Sequence, residues 1–340
     1  MNRLKLFIIL LLFLSSRQSF CQSSDFNEII EHGIESYDKG DYKEALRLYN
    51  LAKKIDTVSG VLNYEIASTY LALKDTAKAL AYCEKSIKSN DKLNELAFVL
   101  YGTILDGQNK SDAAIEKFTE GLKIYPNSSI LHYNLALTYF NNYKDKEAEE
   151  NAKKAIAINP QYASSHLILA YTMLAQKKRI PCIFALYNFL LLEPKGKRAE
   201  KAYKELNKQL STGVTQNDSS KTTINLTGNN TNEFSSLEIL LGIIEASKNT
   251  VENKKKMEEI LFYENTKDFF AILADLPKIK TTFWTKYYID YFGAMYKNNL
   301  VEPFCYYISQ TKYDEDVSIW LKNHTQKIAD LKTWNATFLR

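Results

Sequence analysis

The chain has 340 residues, 45% of them hydrophobic and 25% charged, the balance of a folded protein of ordinary domain sizes and not of a disordered one. Its formal charge of +4 falls to +1 once Arg3, Lys5 and Arg17 are set aside, and residues 235–340 carry 14 basic against 14 acidic side chains. Without a basic excess to neutralise phosphates, nucleic acid is not the expected partner.

In chain order, residues 1–21 read as an export signal. Arg3 and Lys5 precede an apolar run from Leu6 to Leu14, and Ser19 and Cys21 place small residues before a cut at Gln22. The run is too short for a membrane span, which needs about 20 apolar residues, and no later segment qualifies. The expectation is an exported chain, periplasmic or secreted. A lipid anchor on Cys21 is the lesser alternative, because bulky Phe20 stands where lipoprotein signals carry a small residue. With Cys21 removed, Cys83, Cys182 and Cys305 are too far apart to suggest a disulfide framework or a metal cluster, and are expected to be small buried hydrophobes.

Residues 26–196 repeat with a period of about 34. Units begin at Phe26, Gly60, Glu95, Ser129 and Ala163, with one extra residue near Asn94. Position 8 reads Gly33, Ala67, Gly102, Ala136 and Ala170, and position 20 reads Ala45, Ala79, Ala114, Ala148 and Cys182. Position 27 reads Ala52, Ser86, Gly121 and Ala155, then Phe189 as the single misfit. Pro126, Pro160 and Pro194 at position 32 each end a helix by removing a donor. Small residues at such intervals let two helices approach closely.

This pattern resembles five tetratricopeptide repeats (TPR), each two antiparallel helices, A and B. The resemblance implies an all-α fold, a right-handed superhelix of five hairpins, followed by a separate helical domain. Helix B of the fifth unit, Ile183 to Leu192, is almost wholly apolar and should be covered by something. Arg198 to Leu210 follows as a capping helix with Ala202 and Leu206 on one side. The array with its cap would thus occupy 26–210. Residues 211–234, rich in Ser, Thr, Asn and Gly, read as a flexible linker. Residues 235–340 read as a helical domain of no recognised family, or as degenerate repeats. Trp284, Tyr287, Tyr288, Tyr291, Phe292 and Met295 form one helical stripe, and Val317, Trp320, Leu321, His324, Ile328 and Leu331 another, begun by Asp314, Glu315 and Asp316. A third helix is expected after Asn265, carrying Phe269, Phe270, Leu273 and Leu276 and ended by Pro277.

By the same resemblance, ligands lie on the concave face lined by helix A. Here that face offers Tyr37, Tyr64, Leu71, Val99, Tyr133, Leu137, Phe140, Leu167, Tyr171 and Leu174, with Ile30, Ile34, Leu96 and Ile130 beside them. Such a surface suits an amphipathic helix or an apolar extended peptide, although some of these side chains would simply pack between units. The Lys, Arg and Asn of a carboxylate clamp are mostly absent. The occupant could also be internal, through Ile224 and Leu226 of the linker or the C-terminal helices.

His132 and His166 share position 4 of successive units, but no Cys, Asp or Glu completes a ligand set, so both are expected to be structural, as is His324. Glu147, Glu149 and Glu150, and Lys254 to Lys256, read as solvated surface. No phosphate loop, nucleophile elbow or zinc-protease motif occurs, and no cofactor is expected. The expected function is a non-catalytic scaffold of the bacterial envelope that binds a protein or peptide. Two alternatives remain: an enzyme with its site in residues 235–340, and a structural protein whose groove is filled by its own C-terminal half.

Overall fold

The computed structural model describes residues 25–89, 94–216, 222–224, 233–277, 281–312 and 314–338. Residues 1–21, expected to be an export signal, with Cys21, and Leu226 lie outside these residues. Helices dominate: α1 (25–38), α2 (Tyr42–Ile55), α3 (Gly60–Ala72), α4 (Thr76–Lys88), α5 (Asn94–Gly107), α6 (Ser111–Ile124), α7 (Ser129–Asn141), α8 (Asp145–Ile158), α9 (Ala163–Ala175) and α10 (Arg179–Leu192) supply the A and B helices of the five units. The chain divides into two compact units, Met1–Thr138 and Tyr139–Arg340, with the division inside α7.

Within the first compact unit the small-residue positions do what their spacing implies. Ala45, Ala52, Ala67, Ala79 and Ala114 are fully buried. Position 8 is matched to position 24 of the same hairpin. A Cβ on Gly33 would lie 2.3 Å from the ring of Tyr49, and one on Gly102 would lie 2.3 Å from the ring of Phe118. Where position 8 is Ala67, the facing residue is the smaller Cys83, and the two share a core with Ala79 and Ile104. Volume is therefore conserved across the pair and not at either position alone.

Each A–B turn is built alike. In the first, Gly40 N–H donates to the Tyr37 carbonyl (2.8 Å) and Asp41 N–H to that of Ser36 (2.9 Å). The same pair of bonds recurs at Lys74 and Asp75, Asn109 and Lys110, Tyr143 and Lys144, and Lys177 and Lys178. The first residue of each pair is left-handed, with φ of 80° at Gly40 and 63°, 60°, 58° and 57° at the other four. This closes the orphan carbonyls at the helix C-terminus. Asp41 and Asp75 then cap α2 and α4, accepting from the N–H of Glu44 and Lys78.

In the second compact unit, α10 is the centre. Every residue from Ile180 to Leu191 is buried, and the cover anticipated for this helix comes from the C-terminal helices. These are α12 (Ser235–Ala246), α13 (Glu258–Asp275), α14 (Asp290–Lys297), α15 (Val301–Ser309), α16 (Glu315–Asn323) and α17 (Thr325–Thr337). Phe184 meets the rings of Phe234, Phe269, Tyr288 and Phe292, and Tyr187 meets Phe270, Phe292 and Phe304. The Tyr187 hydroxyl lies 3.2 Å from Thr266 Oγ1. Offset and edge-on aromatic pairs of this kind add to area burial.

The capping helix is α11 (Lys197–Ser211), whose buried Ala199, Ala202, Tyr203 and Leu206 form its inner stripe. Its C-terminal carbonyls at Gln209 and Leu210 accept from the Arg179 guanidinium at 2.7 and 2.8 Å. Beyond it, residues expected to be irregular form an antiparallel ladder, β1 (Val214–Gln216) with β2 (Thr222–Ile224). A Cβ on Gly242 of α12 would lie 2.8 Å from the Ile224 side chain, so that side chain is already engaged.

Three details of the C-terminal helices differ from expectation. α13 begins at Glu258 and not beyond Asn265, which is buried within it. The stripe from Trp284 to Met295 is buried throughout, but it contains a π-helical turn at Thr285–Ile289 that hydrophobic spacing does not reveal. The stripe from Val317 to Leu331 is two helices. Asp314 caps α16 through the N–H groups of Asp316 and Val317, and the chain breaks at His324, φ −124°, before α17.

Candidate functional site

The ten helix-A side chains expected to meet a ligand share one property. Tyr37, Tyr64, Leu71, Val99, Tyr133 and Leu137 in the first compact unit are each half-buried, and so are Phe140, Leu167, Tyr171 and Leu174 in the second. The small residues of the same helices are closed: Gly33, Ala67, Gly102, Ala136 and Ala170 are all buried. Ile30, expected beside the ligand face, is buried in the core with Tyr49 and Leu62.

Some of these side chains also pack internally. Tyr37 rests on the core of Ile30, Ala45, Tyr49 and Ala52, and its ring centroid is 5.3 Å from that of Tyr42. Leu71 rests on the core of Ala67, Ala79, Cys83 and Ile104. In the second compact unit, Leu174 lines a cavity of about 260 Å³ with Lys177, Lys178, Arg179, Gln209 and Thr212. Burial is the main cause of the raised Tyr171 hydroxyl pKa, with the Glu205 carboxylate of α11 adding to it.

Electrostatically, the first compact unit holds a feature the apolar reading of helix A did not include. Burial, helped by the Asp38 carboxylate, pushes the Glu65 carboxyl up to about 7. Glu65 in turn raises the hydroxyl pKa of Tyr37, Tyr49 and Tyr64, in each case after burial as the larger cause. These five side chains therefore form one electrostatic cluster on α1, α2 and α3. The sequence carries a signal for it. No Lys or Arg lies three or four residues from Asp38 or Glu65 along their helices, whereas Glu44 has Arg47 and Asp75 has Lys78.

The histidines behave as structural groups. His166 is buried, with Nδ1 2.7 Å from the Tyr288 hydroxyl and Nε2 2.9 Å from the Pro160 carbonyl. Nε2 therefore donates, and Nδ1 accepts from the tyrosine. His132 is buried too. His324 is half-buried and not a core residue: it stacks on Trp320 at 4.1 Å, with Nδ1 2.8 Å from the Trp320 carbonyl. Cys83, Cys182 and Cys305 are buried free thiols, the first two pushed up to about 12 by desolvation. Among the described residues no cluster of three His, Cys, Asp or Glu is placed to hold a metal ion, and no helix is long and apolar enough to cross a membrane.

A second cavity, about 570 Å³, lies in the second compact unit between Glu200, Tyr203, Lys204 and Asn207 of α11 and Glu258, Thr311 and Lys312. Lys312 Nζ is held there by Glu258 at 3.3 Å and Glu259 at 2.6 Å. The Tyr203 hydroxyl is engaged with Ser309 Oγ at 3.0 Å.

Residues 62–92 and 130–162 match the family model described as tetratricopeptide repeat. A TPR repeat-containing protein of Methanocaldococcus jannaschii is 26% identical over 125 residues, which is 37% of this chain and 21% of that protein. A BBSome complex member BBS4 homolog of Drosophila melanogaster is 22% identical over 162 residues, 43% of this chain and 33% of that protein. The chain thus spans a third or less of the length of either relative. Among solved structures, one concerned with the functional characterization of Pseudomonas aeruginosa pilF has 19% identity and a TM-score of 0.45, over 56% of this chain and 90% of that one.

Proposed function

Because this chain is a tetratricopeptide-repeat protein, a fold used for protein–protein interaction, we propose that it is a non-catalytic scaffold of the bacterial envelope. Its helix-A side chains would hold an apolar peptide or amphipathic helix of a partner. The observation that carries the reading is the half-buried state of all ten helix-A side chains beside fully closed small positions. Half-exposed aromatic and aliphatic rows have apolar surface left to bury and bodies already anchored, so a partner gains area without ordering much new structure. Supporting the envelope location is the charged start, apolar run and small-residue cut of residues 1–21.

The test is capture from the envelope fraction with the chain lacking residues 1–21 as bait. Two control baits carry Tyr64→Ala with Tyr133→Ala, or Leu167→Ala with Tyr171→Ala, each verified as helical by circular dichroism. A partner held by the parent bait and lost from at least one control supports the reading. Equal retention by all three moves the binding surface elsewhere. Fractionation of a tagged chain, with and without residues 1–21, tests location: the tag staying in the cytoplasm in both cases would remove the envelope from the proposal.

A further inference from the structure

The cavity of about 570 Å³ in the second compact unit has the size of a small-ligand site, about 300–1,000 Å³. Such sites are mostly apolar, whereas this one is walled by Glu200, Lys204, Asn207, Glu258 and Lys312, with Tyr203 as its one aromatic. That wall suits a hydrophilic guest. Lys312 offers no free charge there, because Glu258 and Glu259 hold it at 3.3 and 2.6 Å. Glu200 and Lys204 are different. A Glu followed four residues later by Lys pairs at Glu84–Lys88 (3.3 Å) and Glu150–Lys154 (2.6 Å), and Glu149 pairs with Lys153 in the same way. Glu200 and Lys204 have that order and spacing on α11, yet neither forms an ion pair with any described residue, and both line the cavity. Asn207, one turn further on, donates from Nδ2 to the Tyr203 carbonyl at 3.1 Å, which leaves its side-chain oxygen to accept. Residues 200, 203, 204 and 207 fall on one face of α11. That face therefore brings an acid, a base and an amide oxygen to one recess.

We propose that this cavity binds a free α-amino acid as its zwitterion, the ammonium paired with Glu200 and the Asn207 oxygen and the carboxylate paired with Lys204. Charge complementarity chooses the occupant. A ligand of one sign would satisfy one of the two charged residues and meet the other as a like charge, and a neutral ligand would compensate neither. Inside a recess both contacts are charge-assisted hydrogen bonds screened less than on an open surface. None of the ten helix-A side chains lines this cavity, so the site is separate from the partner-binding reading and does not rest on it.

The experiment titrates the full chain with each standard amino acid by isothermal calorimetry at fixed ionic strength. The expected result is saturable binding of at least one of them. Its N-acetyl form, which lacks the ammonium, and its amide, which lacks the carboxylate, should each bind more weakly by about tenfold or more, as for loss of a partly desolvated charge pair. Glu200→Gln should weaken the amino acid to a similar degree and leave the N-acetyl form unaffected. Lys204→Met should do the same and leave the amide unaffected. Melting curves check that the variants fold, and if Glu200→Gln does not, Lys204→Met, at an exposed position, decides alone. Binding of the N-acetyl form or the amide as tightly as the amino acid would make this a site for a single charge and overturn the proposal. Undiminished binding to the variants would place the ligand elsewhere, and binding of no amino acid would end the inference. Each of these outcomes leaves the partner-binding reading standing.

Discussion

Glycine at position 8 in two of the five units has a specific cause. Gly33 and Gly102 face the rings of Tyr49 and Phe118 so closely that a methyl group would overlap them. Gly102→Ala is therefore expected to destabilise the first compact unit by about 1–3 kcal/mol, the usual cost of overpacking. Phe118→Leu in that background should recover part of the loss, a non-additivity that a double-mutant cycle in urea measures directly. Simple addition of the two single effects would show that the ring and the glycine are not a matched pair. Glu65 makes a second prediction. Its carboxyl is raised from 4.5 to about 7, so between those values the folded chain keeps a proton that the unfolded chain releases. Its contribution to stability is thus fully present below pH 4.5 and lost as pH rises through 7, by up to roughly 3 kcal/mol. Glu65→Gln should flatten this slope and raise the melting temperature at pH 8. An unchanged pH profile would count against the placement of this side chain. The glycine positions were visible as a column in the sequence. Their matching rings at position 24 became visible only with the contacts, because no rule of spacing says which facing residue fills the gap.

Among the elements, the A–B turn is the most regular part. Five turns use the same two backbone bonds, and only the first puts glycine at the left-handed residue. Gly40→Ala should cost about 1 kcal/mol. Tyr143→Gly should instead be neutral or stabilising by up to about 1 kcal/mol, since Tyr143 is 93% exposed and gives up no burial. Urea denaturation distinguishes the two, and a large loss at Tyr143→Gly would mean that the ring contributes contacts. The same turn reappears at Asn299, φ 56°, where its N–H donates to the Tyr296 carbonyl and that of Leu300 to Met295, joining α14 to α15. The two helices it joins also share a ring contact, Phe292 with Phe304 at 6.1 Å.

Over the whole molecule, the second compact unit joins α8 to α11 with the C-terminal helices in one body. By its contacts the chain divides inside α7, after Thr138. Apolar α10 would be left open if the chain stopped after Ser211, losing the rings of Phe269, Phe270, Phe292 and Phe304 and the Thr266 hydroxyl. That truncation is expected to bind a hydrophobic dye and to self-associate. A soluble monomer with undiminished helicity and no dye binding would show that α10 does not need this cover.

By itself the sequence determined the number of hairpins, their order and which face of each helix is closed, since a period of about 34 with small residues at set positions is a local property of the chain. It also indicated that helix B of the fifth unit required a cover, from the apolar run alone. Only the tertiary structure decided what supplies that cover, and that burial and the Asp38 charge push the Glu65 carboxyl up to about 7. Burial and charge proximity depend on which distant segments come together, and a single helix's spacing does not record its neighbours.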